Sequence, residues 1–380
     1  MQRGELALLG GSPASDTRVR LAKPHFGERC LGRVREVLSS GMLREGDVTR
    51  EFEERFSRRV GARHGVAVCN GTSALAAAYS CALNLGDEVV VPAFTYEASA
   101  GAAVRCGARP VFADVSRSTF LLDVDDLAEK ISRRTKAILP VHLFGNVAEM
   151  MVLNEVAEDH GLCVIGDCCQ AIGSRYMGRE LGEVHDMCCY SFYPSKVITT
   201  GEGGMVTANN PEHAQWVTGF KSPESLQGRE QLGINYRFDD VRATLGLDQL
   251  DQLDSFISHR KRIASEYDRV VGMLECVVPQ RVEPHVESCF NYYTVKLDLE
   301  KFRCGRDKLV EALRAENIEC GVYYPSPLTR HTFLGDGSTC TNAEELSRSV
   351  LSLPMHPFLG EREIEAVAEA LGKVVSHFLR

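Results

Sequence analysis

The sequence predicts an α/β protein with a large domain, built on a mostly parallel central sheet flanked by helices, and a small C-terminal α+β domain. Three observations support this prediction. The chain has 380 residues, which exceeds the size at which one hydrophobic core stops growing. Short β-rich runs alternate with helical stretches from residue 63 to about residue 207, a rhythm typical of parallel sheets with helices on both faces. From about Leu250 the pattern changes to that of a smaller α+β domain.

The predicted strands of the large domain are short apolar runs rich in β-branched residues. They lie at 66–70, 88–93, 109–115, 136–142, 162–167, 187–192 and 204–208. Helical patterns separate the earlier runs, at 73–85, 97–107 and 148–161. Ligands bind to such a sheet at the carboxyl ends of its strands. We therefore expect functional residues directly after these runs.

Beyond residue 250 the pattern is that of a smaller domain. It predicts a long helix with a polar face, a strand, a shorter helix and a closing helix, at 252–273, 291–299, 306–316 and from Glu361 onward. The start of the chain is rich in turn residues, GGSPASD at 10–16. We therefore predict an N-terminal extension, a large domain and a small domain, bounded at 1–45, 46–250 and 251–380.

Composition excludes several classes of partner. The formal net charge is −9 and the pI is near 5.7, which disfavours nucleic acid or an anionic membrane as the main partner. The apolar run at 6–9 is too short for a signal peptide, and no stretch reaches the roughly 18 apolar residues of a membrane helix. We expect a cytoplasmic protein. The 14 cysteines are scattered without CxxC spacing, which indicates buried, reduced thiols and no structural zinc.

The segment CNGTSALAAAY (69–79) is a candidate phosphate site. The first predicted strand ends at Asn70 and Gly71, and a helix is expected to begin at Thr72 or Ser73. A helix start offers free N–H groups, hydroxyls and the positive end of the helix dipole to an anion. Ser and Thr are also ordinary helix caps, so this segment alone is weak evidence.

The segment VIGDCCQAIGSRY (164–176) places two polar residues at the end of another predicted strand. Asp167 ends the apolar run and Gln170 follows three residues later. A carboxylate at a strand end is well placed to contact a bound ligand. The alternative is an ordinary turn or cap aspartate.

The segment CYSFYPSKVITTGEGGMV (189–206) contains the candidate nucleophile, Lys196. It follows a strand and a proline-containing turn, and a polar loop with two glycines comes after it. A lysine there can form a Schiff base if a desolvated site or a nearby cation lowers its pKa. Most lysines are solvated surface charges, so Lys196 is a candidate only in combination with the other two segments.

Together the three segments point to pyridoxal phosphate (PLP). This cofactor needs a phosphate site, a lysine, and a carboxylate beside the pyridine nitrogen, since the protonated ring accepts the electrons of the substrate carbanion. Along the chain, the helix start at 70–73 supplies the phosphate site, Asp167 supplies the carboxylate and Lys196 supplies the lysine. No other cofactor is predicted.

With these residues in view, the chain resembles the DegT/DnrJ/EryC1/StrS family of sugar aminotransferases, which have the type I fold of PLP-dependent transferases, that of aspartate aminotransferase. The resemblance runs from about Leu6 to the end of the chain. It is carried by SGMLREGDVTREFEERF (40–56), CNGTSAL (69–75), PAFTYEASA (92–100), PVHLFG (140–145), DCCQAIG (167–173), SFYPSKVITTGEGG (191–204), GINYRFDDVRATLGLDQLDQLD (233–254) and LSLPMHP (351–357).

The resemblance implies roles for individual residues. Lys196 would be the lysine of the internal aldimine and the catalytic base, and the other cofactor contacts would surround it. Asp167 would meet the pyridine nitrogen and Gln170 the phenolic oxygen. The phosphate contacts would be Thr72, Ser73 and Ser191, and Tyr96 would stack on the ring. His142 and His185 receive no role, and Asp186 is interpreted as structural.

The resemblance also implies a homodimer with shared active sites. Asn235 would reach the cofactor phosphate of the other subunit, and Arg237 would contact an acidic co-substrate or form a structural ion pair. The chain departs from the family in VYYPSPLTRH (322–331), where Tyr323 and Thr329 stand at positions at which histidines are common. Tyr323 is therefore a candidate substrate contact, and the departure concerns the substrate and not the cofactor.

The predicted activity is a ping-pong amino transfer. An amino acid, glutamate in the family, would leave its nitrogen on the cofactor as pyridoxamine phosphate, and a nucleotide-linked 3- or 4-keto hexose would accept it. The alternative acceptor is a keto-cyclitol or an aminoshikimate-type precursor, because some such branches share the GGSP-like start. Lys196 argues against the dehydratase branch, which carries histidine there. A non-catalytic PLP-binding protein is the weaker alternative, and CNGTSAL lacks the GxGxxG of dinucleotide-binding enzymes.

Overall fold

A computed structural model describes residues 5–222 and 233–380 of the chain. The helices are α1 (Glu28–Ser40), α2 (Asp47–Arg59), α3 (Gly71–Ala82), α4 (Ala98–Arg105), α5 (Val124–Lys130), α6 (Met150–His160), α7 (Pro211–Lys221), α8 (Asp240–Asp251), α9 (Leu253–Val271), α10 (Arg306–Ala315), α11 (Thr341–Ser349) and α12 (Glu361–Phe378). The strands are β1 (His64–Val68), β2 (Glu88–Pro92), β3 (Arg109–Ala113), β4 (Thr135–Ile138), β5 (Cys163–Asp167), β6 (Arg175–Tyr176), β7 (Arg179–Glu180), β8 (Met187–Ser191), β9 (Gly204–Ala208), β10 (Val277–Pro279), β11 (Val286–Glu287), β12 (Tyr293–Leu297) and β13 (Val350–Leu353).

The central sheet confirms the predicted fold class. Within the described residues it has seven strands in the order β1-β9-β8-β5-β4-β2-β3. The neighbours from β8 through β5, β4 and β2 to β3 pair in parallel, whereas β9 runs antiparallel to both β1 and β8. Every residue of β2, β8 and β9 is buried, as expected of strands covered by helices on both faces.

Helix α3 starts earlier than predicted. It begins at Gly71 and not at Thr72 or Ser73, because the side chain of Asn70 caps it by accepting a hydrogen bond from the N–H of Ser73 at 2.8 Å. Alanines dominate the rest of the helix and are buried against the sheet. Their small side chains let the helix lie close to the strand ends at which the predicted site residues stand.

The C-terminal part forms a second hydrophobic core with a three-stranded sheet, β10-β12-β13. The predicted long helix is α9, at Leu253–Val271, and the predicted strand at 291–299 is β12. The beginning of the chain joins this core, since Leu6 and Val19 are buried in it and Val19 forms a β-bridge with Ile318. The domain bounds given above remain predictions.

Two further features bear on the predicted class of protein. None of the helices at 5–222 and 233–380 has the length and apolar character that crossing a membrane requires. All 14 cysteines are free thiols. Burial raises the pKa of Cys163 and Cys81, among others, so these thiols stay protonated and behave as small apolar side chains.

Candidate active site

The strand ends and the start of α3 meet at one edge of the sheet. Strands β5 and β8 are neighbours, with Asp167 opposite Cys189 in the register, so Asp167 and Ser191 end adjacent strands. A Cβ placed on Gly71 would lie 2.8 Å from the Cβ of Ser191. Glycine thus lets the helix start approach Ser191 closely, which forms a concave group of backbone N–H and hydroxyl donors suited to an anion.

The two predicted hydroxyls of this helix start differ. Thr72 is exposed and is available to a ligand. Ser73 is buried, and its hydroxyl donates to Asn70 Oδ1 at 2.9 Å and lies 3.0 Å from Cys69 Sγ. The Ser73 side chain therefore supports the cap of the helix.

Asp167 is held in one orientation by two donors. Its Oδ2 accepts a hydrogen bond from the hydroxyl of Ser99 at 2.8 Å, and its Oδ1 accepts one from the N–H of Cys169 at 3.2 Å. The side chain is 6% exposed. Ser99 lies on α4 and was not predicted as a site residue, although the segment PAFTYEASA contains it.

Gln170 is fixed at both ends of its amide. Its Oε1 accepts the N–H of Phe144 at 2.9 Å, and its Nε2 donates to the hydroxyl of Tyr324 at 2.9 Å. An amide nitrogen has two N–H donors, so one remains for a ligand. Sequence reasoning missed Tyr324, which stands next to the candidate Tyr323 and carries the contact that reaches Gln170.

Lys196 lies in the loop after β8, where its N–H donates to the carbonyl of Tyr193 at 2.9 Å. Burial lowers the pKa of Lys196, and the nearby Cys169 and Asp167 oppose that shift. Among the residues that the structure describes, none forms a hydrogen bond or ion pair with its Nζ. A desolvated amine without a partner has the properties of a Schiff-base lysine.

A group of tyrosines lies next to these residues. Tyr96 is 52% exposed, with its ring centroid 6.0 Å from that of Tyr324. The ring of Tyr323 lies 4.7 Å from that of Tyr292. The hydroxyl of Tyr292 donates to Ser195 Oγ at 2.7 Å, directly before the lysine. We call Tyr292, Tyr323 and Tyr324 the tyrosine wall.

Asn235 and Arg237 lie on a segment that passes the first strand end, since the N–H of Cys69 donates to the carbonyl of Tyr236 at 2.9 Å. Asn235 is exposed, and its side chain makes no hydrogen bond within the described part of the chain. Arg237 donates from Nη1 to Ser222 Oγ at 3.2 Å, among other contacts. The single chain therefore does not bring Asn235 into contact with the other predicted cofactor residues by hydrogen bonding.

Two histidines without a predicted role support the strand that carries Asp167. His142 and His185 are buried and joined between their Nε2 atoms at 2.9 Å. The backbone N–H of His142 donates to the carbonyl of Asp167 at 3.0 Å. Burial lowers the pKa of His142, so the neutral ring accepts the N–H of Ala148 on Nδ1. This pair is a structural support beneath the site.

The fold and this arrangement define an aminotransferase of the PLP-dependent type I fold. More narrowly, the chain belongs to the DegT/DnrJ/EryC1/StrS aminotransferase family, whose pattern matches residues 24–372. A curated relative is GDP-perosamine synthase of Caulobacter vibrioides, 37% identical over 86% of this chain and 89% of its own.

Two solved structures extend the comparison. DesI, solved in the presence of its TDP-sugar product, is 30% identical with a TM-score of 0.89, covering 98% of both chains. 3-Amino-5-hydroxybenzoic acid synthase is 28% identical with a TM-score of 0.88, covering 95% of this chain and 100% of its own. The chain is thus similar both to a protein solved with its nucleotide-sugar product and to one named for an aromatic amine.

Proposed function

We propose that this enzyme binds PLP covalently through Lys196 and transfers an amino group from L-glutamate to a nucleotide-linked 3- or 4-keto hexose. The observation that carries the proposal is Lys196, whose desolvated amine has no hydrogen-bond partner among the described residues, together with the oriented carboxylate of Asp167. The acceptor is inferred from GDP-perosamine synthase, whose name contains a nucleotide sugar, and from DesI, whose structure was solved in the presence of its TDP-sugar product.

The residues present fit this cofactor. Gly71 and Ser191 form a concave donor group that suits a phosphate, with the exposed Thr72 beside it. Asp167 offers a buried carboxylate for the ring nitrogen, and Gln170 has one amide N–H left for the phenolic oxygen. Tyr96 is exposed enough to cover one face of a ring.

When bound, PLP supplies the electron sink on which amino transfer depends. Asp167, oriented by the Ser99 hydroxyl and the N–H of Cys169, would hold the ring nitrogen of the cofactor in its protonated form. Lys196 would hold the cofactor through its neutral amine and would also be the base that removes and returns the proton at the substrate carbon. The tyrosine wall would cover this side of the site and limit the access of water to it.

We further propose a cytoplasmic homodimer in which Asn235 completes the partner's site. Its exposed side chain, without a hydrogen bond inside the described chain, supports this role. Analytical ultracentrifugation tests the assembly. Mixing Lys196→Ala with Asn235→Ala subunits tests the sharing: each variant alone should be inactive or weak, and the mixture should regain activity only if sites are shared.

The activity is tested by an absorption spectrum of the purified PLP-loaded protein. A lysine-bound cofactor band that glutamate bleaches, and a keto substrate restores, supports the proposal. A band that no amino donor bleaches would leave a PLP-binding protein without transaminase activity. Absence of any PLP-dependent band would contradict the cofactor assignment itself.

A second candidate acceptor is a keto-cyclitol or an aminoshikimate-type precursor. The similarity to 3-amino-5-hydroxybenzoic acid synthase supports it, as does the departure from the family at Tyr323 and Thr329. Thermal shifts with UDP-, GDP- and dTDP-sugars separate the two candidates, because a ligand stabilises the state to which it binds. Stabilisation by one of these sugars supports the keto hexose, and no shift supports the second candidate.

A further inference from the structure

A small cavity adjoins Lys196 at the junction of the N-terminal segment, the lysine loop, α9 and residues 356–358. Its volume is about 20 Å³, room for one species the size of water or a small ion. The described residues that line it include five basic side chains and no aspartate or glutamate: Lys23, His25, Lys196, Arg260 and His356. Apart from Lys196, none of the proposed cofactor residues lines it.

Arg260 is the central charge of this cavity. It is 2% exposed, and its Nη1 donates to the carbonyls of Phe290, Asn291 and Met355 at 3.2, 3.1 and 3.0 Å. Its Nε is buried, with no hydrogen-bond partner in the described chain. Among residues 5–222 and 233–380 no carboxylate pairs with it. A buried cation without a counter-charge is costly, so this arrangement calls for an anion.

A second buried arginine, Arg306, shows which partners such a side chain has elsewhere in this protein. Arg306 is 7% exposed, and its Nη1 donates to the carbonyls of Ser347 and Val350 at 3.2 and 2.9 Å. Its Nε, in contrast to that of Arg260, donates to Oδ1 of Asp307 at 2.5 Å. Both arginines donate from Nη1 to backbone carbonyls. They differ at Nε, which donates to a carboxylate oxygen in Arg306 and has no partner among the described residues in Arg260.

His356 adds a second donor to the cavity. It is 2% exposed, and neither ring nitrogen has a hydrogen-bond partner in the described structure. Burial and the positive charges of Arg260 and Lys23 lower the pKa of His356 to about 4, and a contact of the ring with the backbone of Arg20, which lacks the geometry of a hydrogen bond, opposes this shift. The ring is therefore neutral at pH 7 and carries one N–H donor.

We propose that this cavity binds a small monovalent anion of the size of chloride, held by Nε of Arg260 and a ring N–H of His356. The anion would supply the counter-charge that Asp307 supplies to Arg306. It would also brace α9 against the lysine loop, since both line the cavity. The inference does not depend on the acceptor or on the reaction.

Crystals of the PLP-loaded enzyme soaked in sodium bromide, with data collected at the bromine absorption edge, test the site directly. We expect an anomalous peak in the cavity in contact with Arg260 and His356. Arg306 is the internal control and should show no peak, because Asp307 already meets its Nε. Bromide elsewhere on the surface with none in this cavity would overturn the proposal in favour of a bound water.

A measurement in solution separates real occupancy from binding at crystal concentration only. The Tm of the wild-type enzyme should rise by a few degrees when sodium chloride replaces sodium gluconate at constant ionic strength. His356→Phe should lose this gain, as should Arg260→Gln if it folds. An equal Tm of the wild type in both salts would overturn the proposal, even with a peak in the crystal.

Discussion

The active site has two parts of different construction. The floor, made of Gly71, Asp167, Gln170, Ser191 and Lys196, stands on strand ends, a helix start and the loops that follow them, and the main chain of the sheet sets its geometry. The tyrosine wall reaches the site from loops of the C-terminal part. Rigid elements place reactive groups accurately, whereas loops tolerate change. The floor is therefore suited to the reaction steps that all substrates have in common, and the tyrosine wall is suited to selecting the acceptor substrate.

Two hydroxyl contacts join the floor to the wall. Tyr324 accepts from Gln170 at 2.9 Å, and Tyr292 donates to Ser195 at 2.7 Å. Changes to the floor should reduce the chemistry for every substrate, and changes to the wall away from these contacts should act on the acceptor. Loss of the contact between Gln170 and Tyr324 should also affect the chemistry. The variants below test this division, beginning with the largest expected effect.

Lys196→Ala should remove activity by more than about 10³-fold, since the variant loses both the attachment point and the proton carrier. The lysine-bound absorption band should disappear as well. Lys136→Ala is the matched control, because Lys136 is an exposed lysine whose Nζ contacts only the carbonyl of Arg133 among the described residues. Normal turnover of Lys196→Ala would contradict the assignment.

Asp167→Asn should lower kcat by about 10²–10³-fold with little change in KM, because the amide no longer holds the proton at the ring nitrogen. Steady-state kinetics with two different keto acceptors should show the same loss for both. Asp186→Asn is the control: Asp186 accepts the N–H of Val164 at the other end of β5, so its loss should affect stability and leave kcat near that of the wild type.

Tyr324→Phe should reduce kcat about tenfold, which corresponds to the roughly 1.4 kcal/mol of one lost hydrogen bond to a functional amide. The ring stays, so packing against Phe94 and Tyr96 is kept. The absorption band of the bound cofactor should also shift, because the Gln170 amide, proposed to contact the phenolic oxygen, loses its hydrogen bond to Tyr324. An unchanged spectrum and kcat would show that the wall does not position the floor.

Tyr323→His, which restores the residue common in the family, should change KM for the keto acceptor severalfold and leave the half-reaction with glutamate unchanged. The ring lies against Tyr292 at a centroid distance of 4.7 Å and does not contact the floor by a hydrogen bond. Tyr323→Phe is the control for packing alone. A large effect on the glutamate half-reaction would contradict the separation of floor and wall.

The floor residues could be proposed from the sequence, because each ends or follows a strand run whose position a periodic pattern reveals; their roles stay predictions. The strands and the long helix α9 lie within a few residues of their predicted places. The misses are contacts between distant parts of the chain: Ser99 with Asp167, 68 residues apart, and Gln170 with Tyr324, 154 apart. Local patterns carry no signal for such pairs, and only tertiary packing decides them.

The start of α3 was wrong for a different reason. Asn, Thr and Ser are all good N-caps, and propensity alone does not rank Asn70 above its neighbours. The role of the first residues also depended on tertiary contacts, because the N–H groups of Ala7 and Ala14 donate to the buried carboxylate of Glu316. That carboxylate lies more than 300 residues away, as the separation of 309 for Ala7 shows.

The contact between the two ends of the chain has a consequence for synthesis. Leu6 and Val19 share a core with α12, and Lys373 pairs with Glu316 at 2.8 Å. On a ribosome the N-terminal part of a protein emerges first and domains fold as units. The large sheet, whose strands lie between His64 and Ala208, can form while later residues are still being added. The C-terminal core forms only after the helix α12 has been made, so the N-terminal segment that packs in this core remains unprotected until then.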